Sequence, residues 1–455
     1  MTKSPLDLRW LLLLVLAGVL VPGGVIATIS PDAGVAFAEE EKGEGDDPFG
    51  DDDEDDDFFD SPTTFSPKEA EKAIRKGVTY LKKVQKDDGS WGDLTGGKPY
   101  GGGEGEGYGH PAGTTALALY ALLKCKVPTR DPSVKKGFAF LKKRHEKPGG
   151  SYETSAMLLA VCATANPYKT STASNKRVER LKLKGAWRGW AQKLHKHLLD
   201  KKASQVWRYN VEGVGQAPGG NQDLSSTQLA ALALFAAHQV KIRTPDSVWE
   251  DILDYSMAQQ DDTGPEVVTK DPLTGREIKR QSRGFAYIKG MEDPTEGKAT
   301  GSMTACGIAN IMMARFVLTD AGRKREAWEA TVDAKKIQSA VEDGLCWIEE
   351  NWNARMNPRK SHGNIYHLYW LYSVERAMDL VGNQRIGSHL WYSEMGQFLI
   401  NKQAEDGSWD TQSTLNPRQT LDTSFALLFL KRATQGQIPF PSITGGTDEP
   451  PVDNR

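Results

Sequence analysis

Apolar positions recur along residues 68–434 at the spacing of amphipathic helices, and every second helix is apolar on nearly all of its faces. A helix that is apolar all round must be buried on most sides. We therefore expect the first helix of each pair outside and the second inside. The pattern predicts six pairs: Ala70–Val84 with Thr114–Leu123, Val134–Arg144 with Thr154–Ala163, Ala186–Leu199 with Ser225–His238, Ser247–Gln259 with Ser302–Val317, Ala334–Glu350 with Ile365–Leu380, and His389–Asn401 with Asp422–Lys431.

Six pairs with one buried helix each predict an all-α, α6/α6 double-ring toroid, with inner helices packed against outer ones. A ring of this kind closes on itself, so the sixth repeat should contact the first. An open solenoid of helix pairs is the competing architecture.

One short segment occurs near both ends of this region. Gln85 is followed by two residues and then Asp-Gly-Ser-Trp91, and Gln403 is followed in the same way by Asp-Gly-Ser-Trp409. A weaker copy has Tyr152 in the place of the tryptophan. The spacing predicts a helix end and a glycine turn, in which the glutamine side chain bonds freed backbone groups and the indole packs over the helix.

These segments resemble the QW repeat of the terpenoid cyclase and protein prenyltransferase superfamily. The resemblance covers about residues 68–434, and it too implies an α/α toroid. The D-x-D-D acid motif of squalene cyclases is matched only at residues 53–56, within a run of acidic residues where no dry pocket can form. The zinc-binding Asp-x-Cys pair of the prenyltransferases is broken, because Thr304 stands two positions before Cys306. We therefore expect no metal and no cofactor.

Charge and hydropathy divide the rest of the chain. Residues 1–38 contain two basic residues, an apolar run and an Ala36-Phe37-Ala38 cleavage site, which predicts a signal peptide and an exported protein, periplasmic or extracellular. An uncleaved signal would act as a membrane anchor. Residues 39–67 form an acidic linker that we expect to be disordered, as is the proline-containing tail 435–455.

A basic insertion occupies residues 169–202, with eleven Lys and Arg side chains around Trp187 and Trp190. The simplest interpretation is a solvated outer helix. The alternatives are binding to an anionic membrane surface, to the acidic linker of the same chain, or to an acidic polymer. Nucleic acid is not an expected partner of an exported protein.

Long loops lead into the inner helices, the longest of them predicted at residues 261–301, and should share one mouth of the ring, where a binding site is expected. The candidate rim residues are polar side chains in or beside these loops: His110, Asp223, Asp293, His362, His367 and Asp422. The candidate cavity aromatics are Tyr366, Tyr369 and Trp370. Inner-helix N-termini carry partial positive charge, which favours a ligand with an anionic head.

The sequence thus predicts a binding or scaffold protein for an amphiphilic or anionic ligand, such as an isoprenoid phosphate, or for a partner in the cell envelope. Two enzymatic alternatives stay open. One is a terpene cyclase or isoprenoid-processing enzyme with an unusual acid, for which Asp293, Asp422 or His110 are the candidates. The other is a polysaccharide-cleaving enzyme, which would need paired carboxylates or a Tyr/His base at the rim.

Overall fold

The predicted helix pairs are present, and they are numbered here in chain order. The computed structural model describes residues 65–92, 111–144, 146, 148–165, 182–183, 185–208, 222–270, 277–292, 297–319, 326–327, 334–359, 366–410 and 419–432. The outer helices are α1 (Pro67–Val84), α3 (Pro132–Arg144), α5 (Gly185–Asp200), α7 (Asp246–Ala258), α9 (Ala334–Glu350) and α11 (Trp391–Lys402). The inner helices are α2 (Pro111–Lys124), α4 (Ser151–Ala163), α6 (Leu224–Gln239), α8 (Gly301–Thr319), α10 (His367–Val381) and α12 (Gln419–Leu430).

The inner helices form a closed ring. Each packs against the inner helix of the next pair, from α2 through α4, α6, α8 and α10 to α12, and α12 packs against α2. The outer helices pack against this ring from outside. The closing contact between α12 and α2 confirms the toroid and excludes the open solenoid.

Burial separates the two layers as the hydrophobic pattern predicts. Nearly all residues of α2, α4, α6 and α8 are buried, whereas α1 buries one face only. Within the part of the chain that the structure describes, α8 is the one helix long and apolar enough to cross a membrane. It lies buried among α6, α7, α9 and α10, as a core helix of a ring does.

The two Gln–Trp segments, Gln85–Trp91 and Gln403–Trp409, join the first repeat to the second and the last repeat to the first. In the first, the indole N–H of Trp91 donates to the Leu81 carbonyl at the end of α1 (2.7 Å). The Gln85 amide donates to the carbonyls of Gly89 and Ser133, both at 2.9 Å, and Ser133 already belongs to α3. The predicted contacts of the glutamine and the indole with the helix end and turn are confirmed, and the glutamine makes an additional bond to the following repeat.

The second Gln–Trp segment makes the equivalent contacts across the ring closure. Trp409 donates to the Leu399 carbonyl of α11 (2.7 Å), and Gln403 donates to the carbonyls of Gly407 (3.0 Å) and Ala73 (2.9 Å). Since Ala73 lies in α1, the last repeat is joined to the first by the same bonds that join neighbours along the chain.

A third copy of these contacts exists in the fourth repeat, where the sequence does not reveal it. The Gln260 amide donates to the Ala340 carbonyl of α9 (2.9 Å), and the Phe285 ring takes the place of the indole. The Phe285 N–H donates to the Thr304 hydroxyl (3.0 Å), as the Trp91 N–H donates to Thr115 (2.9 Å). Residues 261–284 separate the two halves of this copy.

This separating segment contains the two strands of an antiparallel hairpin, β1 (Glu266–Lys270) and β2 (Glu277–Gln281). The expectation of a loop throughout residues 261–301 was therefore wrong. The signal was present in the sequence, because Val267, Val268 and Ile278 flank a Pro- and Gly-containing turn. β2 packs on α9, where its Gln281 N–H donates to the Asp343 carboxylate (3.1 Å).

Gly77 in α1 provides a test of the ring closure. A Cβ atom at this position would lie 2.8 Å from Trp409 Cζ3, so we expect Gly77→Ala to lower the free energy of unfolding by roughly 1–3 kcal/mol through overpacking. Urea denaturation of the purified chain measures this loss. The matched control is Gly189→Ala in α5, where no atom lies within 4 Å and alanine should be neutral or slightly stabilising. Equal stability of the two variants would contradict the closing contact.

Candidate functional site

The predicted rim residues that the structure describes are Asp223, His367 and Asp422, whereas His110, Asp293 and His362 lie outside the described residues. Asp223 is 1% exposed and caps α6, accepting from the Ser226 N–H (2.6 Å) and the Ser226 hydroxyl (2.7 Å). Asp422 is buried in the first turn of α12. All three residues lie at or beside the beginning of an inner helix, but capping occupies the carboxylate of Asp223.

His367 lies in the wall of the ring as the first residue of α10. Its Nε2 bonds the Ala354 carbonyl (2.9 Å), and its ring packs edge-on against Phe398 of α11, with 4.8 Å between centroids. Burial lowers the pKa of His367 to about 4, although the Ala354 bond opposes the shift. The imidazole is therefore neutral at pH 7 and acts as a donor within the wall.

The three candidate aromatics have different environments. Tyr366 precedes α10 with a φ of 79°, a left-handed conformation that is rare for a tyrosine, and its side chain is exposed. Trp370 is fully buried and donates its indole N–H to the Asn353 carbonyl (3.0 Å). Tyr369 is half-buried, and its hydroxyl lies within a network of polar side chains from other inner helices.

This network spans the inner ring. The Tyr369 hydroxyl of α10 lies 3.1 Å from Ser225 Oγ and 3.4 Å from Gln228 Oε1, both of α6, and 3.3 Å from Cys306 Sγ of α8. The Tyr152 hydroxyl of α4 donates to the same Ser225 oxygen (2.7 Å). Because α6 and α10 are not neighbours in the ring, the Tyr369 bonds to α6 cross the lumen, the space that the inner helices enclose.

Arg376 lies about two turns deeper on α10 than Tyr369 and is 0% exposed. Its Nη2 donates to Ser373 Oγ (2.9 Å), but Nε and Nη1 have no hydrogen-bond partner. The guanidinium lies 3.9 Å from the ring centroid of Tyr372 and 5.6 Å from that of Tyr369. In the part of the chain that the structure describes, Arg376 forms no ion pair with a carboxylate.

A buried arginine of this kind is costly. Guanidinium groups stay protonated in proteins, and removing an ion from water costs several kcal/mol even after the protein has relaxed. Cation–π contacts with the two tyrosine rings offset this desolvation cost by roughly 0.5–2 kcal/mol each. The guanidinium of Arg376 is therefore a buried positive charge stabilised by Tyr372, Tyr369 and Cys306, and its Nε and Nη1 form no hydrogen bond of good geometry with the described residues.

Other polar atoms of the inner helices are similarly buried without a partner. Among the described residues these include Ser155 Oγ in α4, together with Thr227 Oγ1 and Gln228 Nε2 in α6. The Gln228 amide nitrogen belongs to the same side chain that accepts from Tyr369, so one unsatisfied donor lies beside the Tyr369 network. Buried polar groups are nearly always paired in native proteins. These atoms therefore have hydrogen-bonding capacity that the described residues do not use and that water or a ligand would satisfy.

Charges at the opposite ends of the inner helices are, by contrast, paired. Asp379 near the end of α10 forms a buried ion pair with Arg432, which follows α12. Burial raises the pKa of Asp379, and Arg432 opposes this shift. Burial lowers the pKa of Lys124, the last residue of α2, to about 8, and the nearby Glu375 carboxylate opposes that shift.

The four cysteines are free thiols: Cys125, Cys162, Cys306 and Cys346. Burial raises the pKa of each of them. They are therefore protonated at neutral pH, and only Cys306 belongs to the Tyr369 network.

The described part of the basic insertion consists of residues 182–183 and 185–202, most of which form the outer helix α5. Trp187 and Trp190 pack on Phe138 of α3, with ring centroids 4.8 and 6.0 Å apart. Several of its lysines already have acidic partners: Lys193 pairs with Glu146, Lys196 with Asp200, and Lys202 with Asp251. The tryptophans therefore serve packing, and part of the positive charge is neutralised locally. Binding of a membrane surface or an acidic polymer by residues 169–202 stays a prediction.

Part of the chain matches a known protein family. Residues 61–160 match the family described as the squalene-hopene cyclase C-terminal domain, which confirms the resemblance to the terpenoid cyclase superfamily for this part of the chain. No curated relative matches the chain at the sequence level.

Similar solved structures include enzymes of two classes. A type II terpene cyclase from Scytonema, in complex with geranylgeranyl dihydroxybenzoate, is 11% identical, with a TM-score of 0.48, and the match covers 81% of this chain and 98% of that chain. An α-1,6-mannanase from Salegentibacter with α-1,6-mannotriose is 10% identical (TM-score 0.47; 80% and 98% covered). A family 76 glycoside hydrolase from a Bacteroides thetaiotaomicron strain is 9% identical (TM-score 0.47; 80% and 77% covered).

Proposed function

We propose that this chain binds the anionic head of an amphiphilic ligand at Arg376, within the ring of inner helices, and that it acts as a binding or scaffold protein. The observation that carries the proposal is the guanidinium of Arg376, which is fully buried and, among the described residues, has no carboxylate partner and two unpaired nitrogen atoms. An anion bound there would supply both the missing charge and the missing acceptors.

The chemistry of the surrounding side chains favours a phosphate-type head. A guanidinium presents parallel donors that match the oxygens of a phosphate or carboxylate. The unpaired Gln228 amide nitrogen adds a neutral donor to the same lumen. Within the described residues Arg376 forms no ion pair, so its charge is available to an anion, whereas the nearby Glu375 carboxylate, which acts on the same Tyr372 hydroxyl, would oppose one.

The aromatic side chains around Arg376 would accept the apolar part of such a ligand. Phe425 of α12 is half-buried, and its ring centroid lies 5.7 Å from those of both Tyr369 and Tyr372. Ligand sites are commonly apolar with a few well-placed polar groups. An export signal at residues 1–38 would carry the ring to the cell envelope, where amphiphiles with anionic heads occur.

The test is equilibrium binding of defined anions to the full chain. We expect calorimetric titration with inorganic pyrophosphate and with geranyl diphosphate to detect binding, and geranyl diphosphate to bind more tightly because it also has an apolar part. Arg376→Met should weaken binding by roughly 10–100-fold, the value of charge-assisted hydrogen bonds. The matched control is Arg243→Met, which removes an exposed arginine.

Two results would overturn the proposal. If neither probe binds the folded wild-type chain, the lumen is not an anion site. If Arg376→Met and Arg243→Met bind equally well while circular dichroism shows both to be folded, Arg376 does not hold the anion.

The second candidate function is an isoprenoid-processing enzyme, which the family match at residues 61–160 favours. A cyclase of this type needs a carboxylic acid in a dry pocket. Asp422, 8% exposed in the first turn of α12, is the candidate within the described residues. Incubation of the full chain with squalene or geranylgeranyl diphosphate, with products analysed by mass spectrometry, tests this function. Cyclised products that disappear in Asp422→Asn would favour the enzyme.

The carboxylates of the inner ring give less support to polysaccharide cleavage. Glu375 and Asp379 lie one turn apart on α10 and share a hydrogen bond. Glycoside hydrolysis requires two carboxyl groups separated by about 5–9.5 Å, so that a sugar and a water fit between them. The proximity of this pair and the Arg432 partner of Asp379 favour a structural role.

A further inference from the structure

We infer that Tyr369 acts as a side-chain gate between the mouth of the ring and Arg376. This inference rests on the proposed function, because it assigns the residue that controls entry to the same site. Tyr369 lies in the first turn of α10, next to the mouth, whereas Arg376 lies about two turns further in. Any ligand that approaches Arg376 from the N-terminal ends of the inner helices must pass Tyr369.

The cross-ring bonds hold this gate closed. The Tyr369 hydroxyl contacts Ser225 and Gln228 of α6, so the side chain reaches past α8, the inner helix that separates α10 from α6. Below it, the guanidinium of Arg376 is 5.6 Å from the Tyr369 ring centroid. The tyrosine thus spans the lumen directly above the unpaired charge.

The bonds of the gate are weak enough to open. The Tyr369 hydroxyl lies 3.1 Å from Ser225 Oγ and 3.4 Å from Gln228 Oε1, both longer than the 2.7 Å bond from Tyr152 to Ser225. One hydroxyl proton can serve only one acceptor at a time. The Tyr369 oxygen can also accept from the Ser225 hydroxyl and the Cys306 thiol, so opening breaks up to three hydrogen bonds, but Ser225 keeps its bond from Tyr152.

Opening would also release groups that a ligand can use. Gln228 Oε1 loses its donor when Tyr369 moves, so the whole Gln228 amide, including the unpaired Nε2, becomes available. The half-buried state of Tyr369 indicates that space exists on one side of its ring. An anionic head group could pass on that side and reach Arg376.

The reactivity of the Cys306 thiol measures how often the gate opens, and this measurement needs no ligand. Its thiol lies 3.3 Å from the Tyr369 hydroxyl and 3.7 Å from Ser373 Oγ, and the residue is fully buried. The experiment measures the rate at which iodoacetamide alkylates each cysteine of the folded full chain, resolved by peptide mass spectrometry. Cys162 in α4 is the internal control, because it is buried and is not among the hydrogen-bond partners of Tyr369 within the described residues.

We expect Tyr369→Phe to speed alkylation of Cys306 by about 3–10-fold, since the variant loses the cross-ring bonds but keeps the ring. Removing the Tyr369 bond by itself would slow the reaction, because that bond helps to lower the pKa of the Cys306 thiol against the larger effect of burial. A faster reaction therefore shows that iodoacetamide reaches the Cys306 thiol more easily. Tyr366→Phe, at an exposed tyrosine outside the network, should leave the rate unchanged.

The outcomes separate the gate from the proposed function. Unchanged alkylation of Cys306 in Tyr369→Phe, or an equal rise at Cys306 and Cys162, would overturn the gate. Pyrophosphate should slow Cys306 alkylation in the wild-type chain but not in Arg376→Met. In a further outcome, Tyr369→Phe exposes Cys306 while pyrophosphate protects Cys306 neither in the wild-type chain nor in Tyr369→Phe. In that case the gate stands and the anion site is wrong.

Discussion

Trp409→Ala is expected to lower the free energy of unfolding by roughly 3–5 kcal/mol, the usual cost of removing a buried large aromatic side chain. Trp409 is 1% exposed, donates to Leu399 of α11 and lies against Gly77 of α1. The substitution would therefore leave a cavity where the last repeat meets the first. Urea denaturation followed by circular dichroism measures the loss.

Trp91→Ala is the matched comparison, because Trp91 makes the same contacts between the first and second repeats. We expect both variants to lose similar stability, since in a closed ring the contact between the last and first repeats is equivalent to the contact between the first and second. A second control is Trp187→Ala in α5, where the ring is half-buried and the loss should be smaller. A much smaller cost for Trp409→Ala than for Trp91→Ala would show that the ring closure contributes little.

Acidification from pH 7 to pH 4 is expected to destabilise the protein by about 3 kcal/mol through His367 alone. Burial lowers the pKa of His367 to about 4 in the folded chain, whereas an unfolded histidine titrates near pH 6.5. Between these values the unfolded state binds more protons than the folded state. The contribution is therefore complete above the unfolded pKa and is lost as the pH falls towards 4.

His367→Gln isolates this contribution, because glutamine can still donate to the Ala354 carbonyl but does not titrate. The difference in unfolding free energy between wild type and variant should change by about 3 kcal/mol across this pH range. The contributions of the carboxylates cancel in this difference, because both proteins contain them. A difference that is independent of pH would contradict a buried neutral imidazole.

The helix pairs and the two terminal Gln–Trp segments were predictable because both are local patterns. Periodicity fixes which face of a helix is apolar, and the Gln85–Trp91 spacing fixes a turn, so neither depends on distant residues. The third copy was missed because residues 261–284 separate Gln260 from Phe285, and a phenylalanine replaces the tryptophan. Only the fold brings the two halves together.

The candidate site was predicted less well, for a different physical reason. Asp223 and His367 do lie at inner-helix starts, but whether such a side chain caps a helix, supports a wall or faces a ligand depends on its neighbours in space. Arg376 was overlooked, since an arginine in an amphipathic helix normally faces solvent. Its burial arises only because α10 is enclosed on both sides by α8 and α12.

The helix pairs, the inner and outer layers and the residues that join the terminal repeats could be predicted, because each follows from short-range spacing and burial preference. The folded structure is needed to show that the ring closes, that Tyr369 crosses the lumen, and that Arg376 forms no ion pair among the described residues. These features depend on which side chains meet across the ring. Such meetings are set by the packing of helices far apart in the chain.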